Sequence, residues 1–221
     1  MGSTTPPPYL QNLSPKDALI LSTPASHFTP LSWPTVLKII SSNQLQEFQR
    51  RPSDLRRYLL FLWEVRREFG SVMEFILSER LGWCKEDLSI SSKGEEFGGR
   101  EEGERKGKGM FANEGDVKIL WNDWPYGLDE RIVHLVVWTK FELEEDVRTG
   151  DLRGSVRGEI EGFVERVFGR RVGGENVIWF KNWKSLKSVH AVEHFHVMLF
   201  DPDPEFVKEV THGDVPLFRK M

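Results

Sequence analysis

The sequence predicts an α+β protein, with a helical N-terminal half packed on a mainly antiparallel sheet that carries one long helix. Three observations predict it. Apolar residues recur at helical spacing through Leu55, Tyr58, Leu59, Leu62 and Phe69. They crowd into short β-like runs at Val117–Trp121, Ile132–Thr139 and Ala191–Phe200. Between the second and third of these lies the amphipathic segment Gly154–Phe168.

Residues 1–31 hold Pro6, Pro7, Pro8, Pro15, Pro24 and Pro30, and read as an extended arm with little regular structure. Residues 32–221 read as a single domain. Ser32-Trp33-Pro34 opens a first helix, with Ser32 as N-cap and proline in the first turn, continuing with a break through Gln49. Pro52-Ser53-Asp54 opens the clearest helix, and Val72–Leu81 follows between Gly70 and Gly82. Residues 91–109 combine six glycines with charges of both signs and predict a flexible loop. The second half then reads strand, strand, helix, strand, strand. Gly169 stops the helix, Asn176–Phe180 is the third strand, and Pro202 and Pro204 end the fourth.

At 221 residues, 39% apolar and 29% charged, the chain is of globular type. Its longest apolar runs are too short to span a bilayer, and no secretory signal is visible. A cytoplasmic setting is expected, and Cys84, the single cysteine, forbids an internal disulfide framework or a cysteine-based zinc site. The net charge of −4 speaks against a wholly basic nucleic-acid binder but permits a local basic patch. Arg50, Arg51, Arg56, Arg57, Arg66 and Arg67 form a solvated helix side or, less commonly, a phosphate-backbone contact.

The strongest functional signal is the last strand. Alternation points His190, Val192, His194, His196 and Met198 one way, and Ala191, Glu193, Phe195, Val197 and Leu199 the other. Imidazoles on one side and a carboxylate among apolar residues on the other break the usual pattern in both directions. His194 and His196 suit acid–base work or substrate contact, with Glu193 beside them, whereas hydrogen-bonded core histidines are the plainer alternative. His190 stands about 13 Å from His194 at strand rise, too far to share one ligand shell. His134 or Asp123 would have to complete any metal site, no spacing requires one, and no cofactor is expected.

Three further places could carry chemistry. Trp121-Asn122-Asp123-Trp124-Pro125-Tyr126-Gly127 sets polar groups between aromatics at a strand end, where Asp123 could hold a guanidinium. An Asx turn explains the same run locally. Lys181, Asn182, Trp183, Lys184 and Lys187, with Ser185 and Ser188, could receive phosphate or a nucleic-acid end, or form a solvated loop. Glu142, Glu144, Glu145 and Asp146 could attract a cationic substrate or line a solvated turn.

Asn182–Met198 is similar to the signature of histidine-triad nucleotide-binding proteins, with Val192 at the first triad position and His194 in place of the covalent histidine. A longer resemblance runs from about Trp33 through WNDWPYG, IVHLVVWTK, TGDL and VIWFKNWKSLKSVHAVEHFHVMLFDPDP. On these motifs the chain resembles a fungal domain-of-unknown-function family that includes N-acetylglucosamine-induced proteins and arginine-containing cyclodipeptide synthases. That resemblance implies condensation of an arginyl and a second aminoacyl group, from arginyl-tRNA and a second charged tRNA, into a diketopiperazine. The synthases' acidic DDxxE-type motif has no Asp-Asp pair to match here; Glu144-Glu145-Asp146 is the nearest segment.

On this reading His194, Glu193, His196 and Asp123 are the catalytic candidates. Trp121, Asn122, Trp124, Tyr126, His134, Lys181, Asn182, Trp183, Lys187 and His190 are the substrate-binding ones. The alternatives are a histidine-triad-like nucleotide hydrolase or transferase, and a non-enzymatic N-acetylglucosamine-induced ligand-binding protein.

Overall fold

In a computed structural model, residues 5–88, 109–183 and 192–220 are described. Four strands form one antiparallel sheet: β1 (Val117–Trp121), β2 (Ile132–Thr139), β3 (Val177–Phe180) and β4 (Glu193–Phe200), in the order β1-β2-β4-β3. The fold class is therefore α+β, as the alternating runs predict.

The register sets what each side of the sheet carries. Trp138 lies opposite His194, Val136 opposite His196 and His134 opposite Met198. Directly opposed residues of an antiparallel pair project to the same side. His134, Val136, Trp138, His194, His196 and Met198 thus share one side, and Leu135, Val137, Phe195, Val197 and Leu199 the other.

The second side is sealed by α5 (Gly154–Val164), its wider turns Glu165–Gly169 and α6 (Arg170–Val172), and by α7 (Pro204–Val210). Ile160, Phe163, Phe168 and Phe206 bury against Phe195 and Val197 there. The helix runs past Gly169, which the sequence marks as its stop. It ends at Gly173, whose φ of +90° suits glycine.

The histidine side is covered by the N-terminal helices: α1 (Pro15–Ser22), α2 (Trp33–Ser41), α3 (Pro52–Phe69) and α4 (Val72–Phe75), continued by π-type turns at Ile76–Leu81. Phe61, Leu62, Phe75 and Ile76 meet Leu120, Val136 and Trp138; Val36, Ile39 and Phe48 meet Phe180 and Met198. The Pro-rich arm corrects the expectation of little regular structure. Ser14 caps α1 by accepting from the Asp17 amide, Pro15 fits its first turn, and α1 packs on α3. The low-complexity stretch expected as a loop at 91–109 lies, apart from Gly109, outside the described residues. Among the described residues no helix is long and apolar enough to cross a membrane.

Candidate functional site

Between the histidine side and the N-terminal helices the packing leaves a cavity of about 220 Å³. Tyr58, Phe61, Leu62 and Ile76 come from the helices; Val136, Trp138, His194 and His196 come from the sheet. Asn122, Asp123, Trp124 and Tyr126 line it from the β1–β2 connection, and Asn182 from just beyond β3. Its charged lining is Lys16, Arg50, Arg80 and Asp123.

Four polar side chains form a chain of hydrogen bonds beneath and along this cavity. Asn122 Oδ1 accepts from the Trp124 amide at 3.0 Å, so its NH2 turns toward His134 Nε2, 3.2 Å away. His134 Nε2 lies 3.0 Å from His196 Nδ1, and His196 Nε2 lies 2.9 Å from Asn182 Nδ2. The Trp124 amide fixes Asn122 as a donor to His134, and the tautomers of the two histidines set the direction of the other two bonds. His134 is 1% exposed, and burial, reinforced by the Arg50 charge, pushes its pKa down to about 3. It is a neutral acceptor at physiological pH.

His194 is oriented separately. Its Nδ1 lies 2.8 Å from the Val192 carbonyl, which can only accept, so Nδ1 carries the proton and Nε2 is the basic nitrogen. Its ring packs on Trp138, with centroids 4.5 Å apart. An oriented imidazole that lines a cavity can take or return a proton, or attack an electrophile.

Asp123 does hold a guanidinium, but one belonging to the chain. Arg80 Nε donates to Asp123 Oδ2 at 2.8 Å, while its two Nη groups donate to both oxygens of Asp214 at 2.9 and 2.8 Å. Asp123 Oδ1 accepts from the Leu217 amide, and Asp214 Oδ2 from the Trp121 amide. Burial raises the Asp123 pKa against the opposing pull of Arg80. The cluster ties the C-terminal segment to the cavity wall.

Glu193 is not brought to the histidines. It lies on the other side of the sheet, 3.2 Å from Lys181 Nζ, which also pairs with Glu145 at 2.6 Å and donates to the Leu143 carbonyl. The strand period that aligns His194 with His196 must send Glu193 the opposite way. Lys181 therefore leaves the site too. Glu144 pairs with Arg153 and Asp146 with Arg148, so those acids face one another's bases at the surface rather than the cavity. Trp183 is 40% exposed and donates to Asn43 at 3.2 Å. Trp121 lines one edge of the cavity while Arg219 stacks over its ring at 4.9 Å. Lys187 and His190 lie outside the described residues, with Lys184, Ser185 and Ser188. Among the described residues no three His, Cys, Asp or Glu side chains are grouped to hold a metal ion.

Sequence reasoning misses the far wall. Arg50 stacks on Tyr58 at 3.9 Å and donates from Nε to the Trp124 carbonyl at 3.0 Å. Lys16 at the rim donates to the Gln46 and Phe48 carbonyls at 2.6 and 2.7 Å. The signal for Arg50 was its place immediately before the Pro52 helix start, where a basic pair can turn inward.

The site is thus an aromatic cavity between an antiparallel sheet and a helical layer, with oriented histidines on its floor. Residues 32–200 match the family described as Protein of unknown function (DUF3605), and the chain belongs to that family. It is similar to N-acetylglucosamine-induced protein 1 of Candida albicans, at 29% identity over 193 residues covering 83% of this chain and 74% of that protein. It is also similar to an uncharacterized protein of Saccharomyces cerevisiae, at 24% identity over 196 residues covering 84% of this chain and 91% of that one. In fold it resembles the crystal structure of HTC1, with a TM-score of 0.61 at 23% identity over 84% of this chain and 98% of the other.

Proposed function

We propose that this protein is a small-molecule enzyme working in this cavity, with His194 as general acid–base and aminoacyl transfer as its reaction. The observation that carries the reading is the His194 Nδ1 contact with the Val192 carbonyl, which leaves Nε2 as the basic nitrogen of a ring that lines an aromatic cavity. In the specific form raised by the sequence resemblance, an arginyl and a second aminoacyl group from charged tRNAs become a cyclic dipeptide. Both are activated esters, so the reaction needs no nucleotide-activation site, and the sequence carries no glycine-rich phosphate loop. Amine attack requires a base, which His194 supplies; each of the two amide bonds formed breaks one ester bond, and the proton taken from the amine is returned to the departing tRNA hydroxyl. With Asp123 committed to Arg80, the arginyl guanidinium would rest against aromatic faces rather than on a carboxylate.

The test feeds isotope-labelled arginine to a heterologous host expressing the full chain and assays cyclic dipeptides by mass spectrometry. A labelled diketopiperazine made by the wild type and absent with His194→Gln supports the transfer reaction. Its absence with folded wild-type protein contradicts it. The nucleotidyl-transfer alternative, in which His194 Nε2 attacks phosphorus, predicts a nucleotidyl adduct on His194 after incubation with a nucleoside phosphoramidate.

A further inference from the structure

Two side-chain atoms of residues that line the cavity are buried without a hydrogen-bond partner among the described residues: Trp124 Nε1, a donor, and Asn182 Oδ1, an acceptor. Their residues are 4% and 6% exposed, and both line the cavity. Buried polar atoms in native folds are nearly always paired, so two orphans of opposite character beside one cavity point to a ligand that pairs them. Asn182 Nδ2 lies 2.9 Å from His196 Nε2, which occupies that end of the amide and leaves the oxygen at the other.

Charge narrows the ligand further. Arg80 is matched by Asp123 and Asp214. Arg50 and Lys16 contact carbonyls and ring faces, and among the described residues neither has a carboxylate within ion-pair distance. Arg50 also lies 5.7 Å from the Tyr126 ring centre. The orphan donor, on Trp124, belongs to the residue whose carbonyl takes Arg50 Nε.

We infer that the cavity binds a small organic acid that also carries a hydrogen-bond donor, its carboxylate received by Arg50 and Trp124 Nε1 and its donor by Asn182 Oδ1. The aromatic lining encloses an apolar or aromatic body. The space of about 220 Å³ takes a small-molecule body. A hydroxy or amino acid satisfies every group. The inference rests on the reading of the cavity as a small-molecule site and not on the transfer reaction.

Calorimetry on the full chain with L-3-phenyllactate, its amide and 3-phenylpropionate tests it. Phenyllactate binds, and removing either the charge or the hydroxyl weakens binding by about tenfold or more. L-Phenylalanine in place of phenyllactate distinguishes an amine from a hydroxyl as the donor, and binding of either supports the inference. Arg50→Gln weakens the acid and leaves the amide unchanged, and Asn182→Asp weakens the acid. Because the ligand-side deletions need no variant, they decide even where a variant fails to fold. Equal binding of acid and amide, or of phenyllactate and phenylpropionate, overturns the inference while leaving the cavity a small-molecule site. Binding of none of these compounds by the folded chain overturns it outright. The labelled-arginine experiment, by contrast, fails or succeeds on product alone.

Discussion

His134 and His196 meet Nε2 to Nδ1 at 3.0 Å across the two central strands, both rings buried beneath the cavity. Their pairing makes stability depend on pH. The His134 pKa falls from 6.5 to about 3 on folding, so the neutral form belongs to the folded state. As pH drops below 6.5 the unfolded chain takes up a proton that the folded chain refuses until about 3. The His134 contribution is thus fully present above pH 6.5 and is lost on acidification, by at most about 1.4 kcal/mol per pH unit. Urea midpoints measured at pH 7, 6, 5 and 4 should fall more steeply for the wild type than for His134→Gln. Parallel curves would show that His134 is not held neutral.

Arg80 stands between Asp123 and Asp214 with 8% of its side chain exposed. Breaking such a buried cluster from one side leaves charges without compensation. Arg80→Met should cost about 3–5 kcal/mol in urea unfolding, and adding Asp214→Asn should recover part of that loss. Full stability in the single variant would mean that the cluster is solvated.

Gly127 sits where the WNDWPYG connection crosses the N-terminal arm. Its amide donates to the Gln49 carbonyl at 2.9 Å and its carbonyl accepts from Leu31 at 2.9 Å. A Cβ there would overlap the Phe28 ring and come 3.2 Å from Arg51 Cγ. Gly127→Ala should destabilise by about 1–3 kcal/mol through overpacking, read as a lower urea midpoint, and Phe28→Ala should relieve the clash in the double variant. An unchanged midpoint in Gly127→Ala would indicate that the arm moves aside freely.

The sheet was legible because alternation survives wherever a strand has one side under helices and the other under a different helix. The same period that aligned His194 with His196 also assigned Glu193 to the opposite side. Grouping it with them overrode the pattern, and Lys181 is what it meets instead. Asp123 was legible as a guanidinium site but not its partner. Arg80 lies 43 residues earlier on a segment whose other charges face solvent, and no local spacing links the two. Arg50 and Lys16 reach the cavity only through the packing of α1 and α3 over the sheet. Pro15 hid α1, because prolines that open helices and prolines that prevent them look alike in a proline-rich arm.

The proposal places chemistry on the histidine side of the sheet, beneath the N-terminal helices. The most direct test compares host extracts carrying wild type, His194→Gln, Glu193→Gln or empty vector, with folding checked by circular dichroism. A metabolite that wild type adds, that His194→Gln abolishes and that Glu193→Gln retains is the predicted result. A metabolite lost with Glu193→Gln but kept with His194→Gln would contradict it, as would a wild-type extract identical to the empty vector.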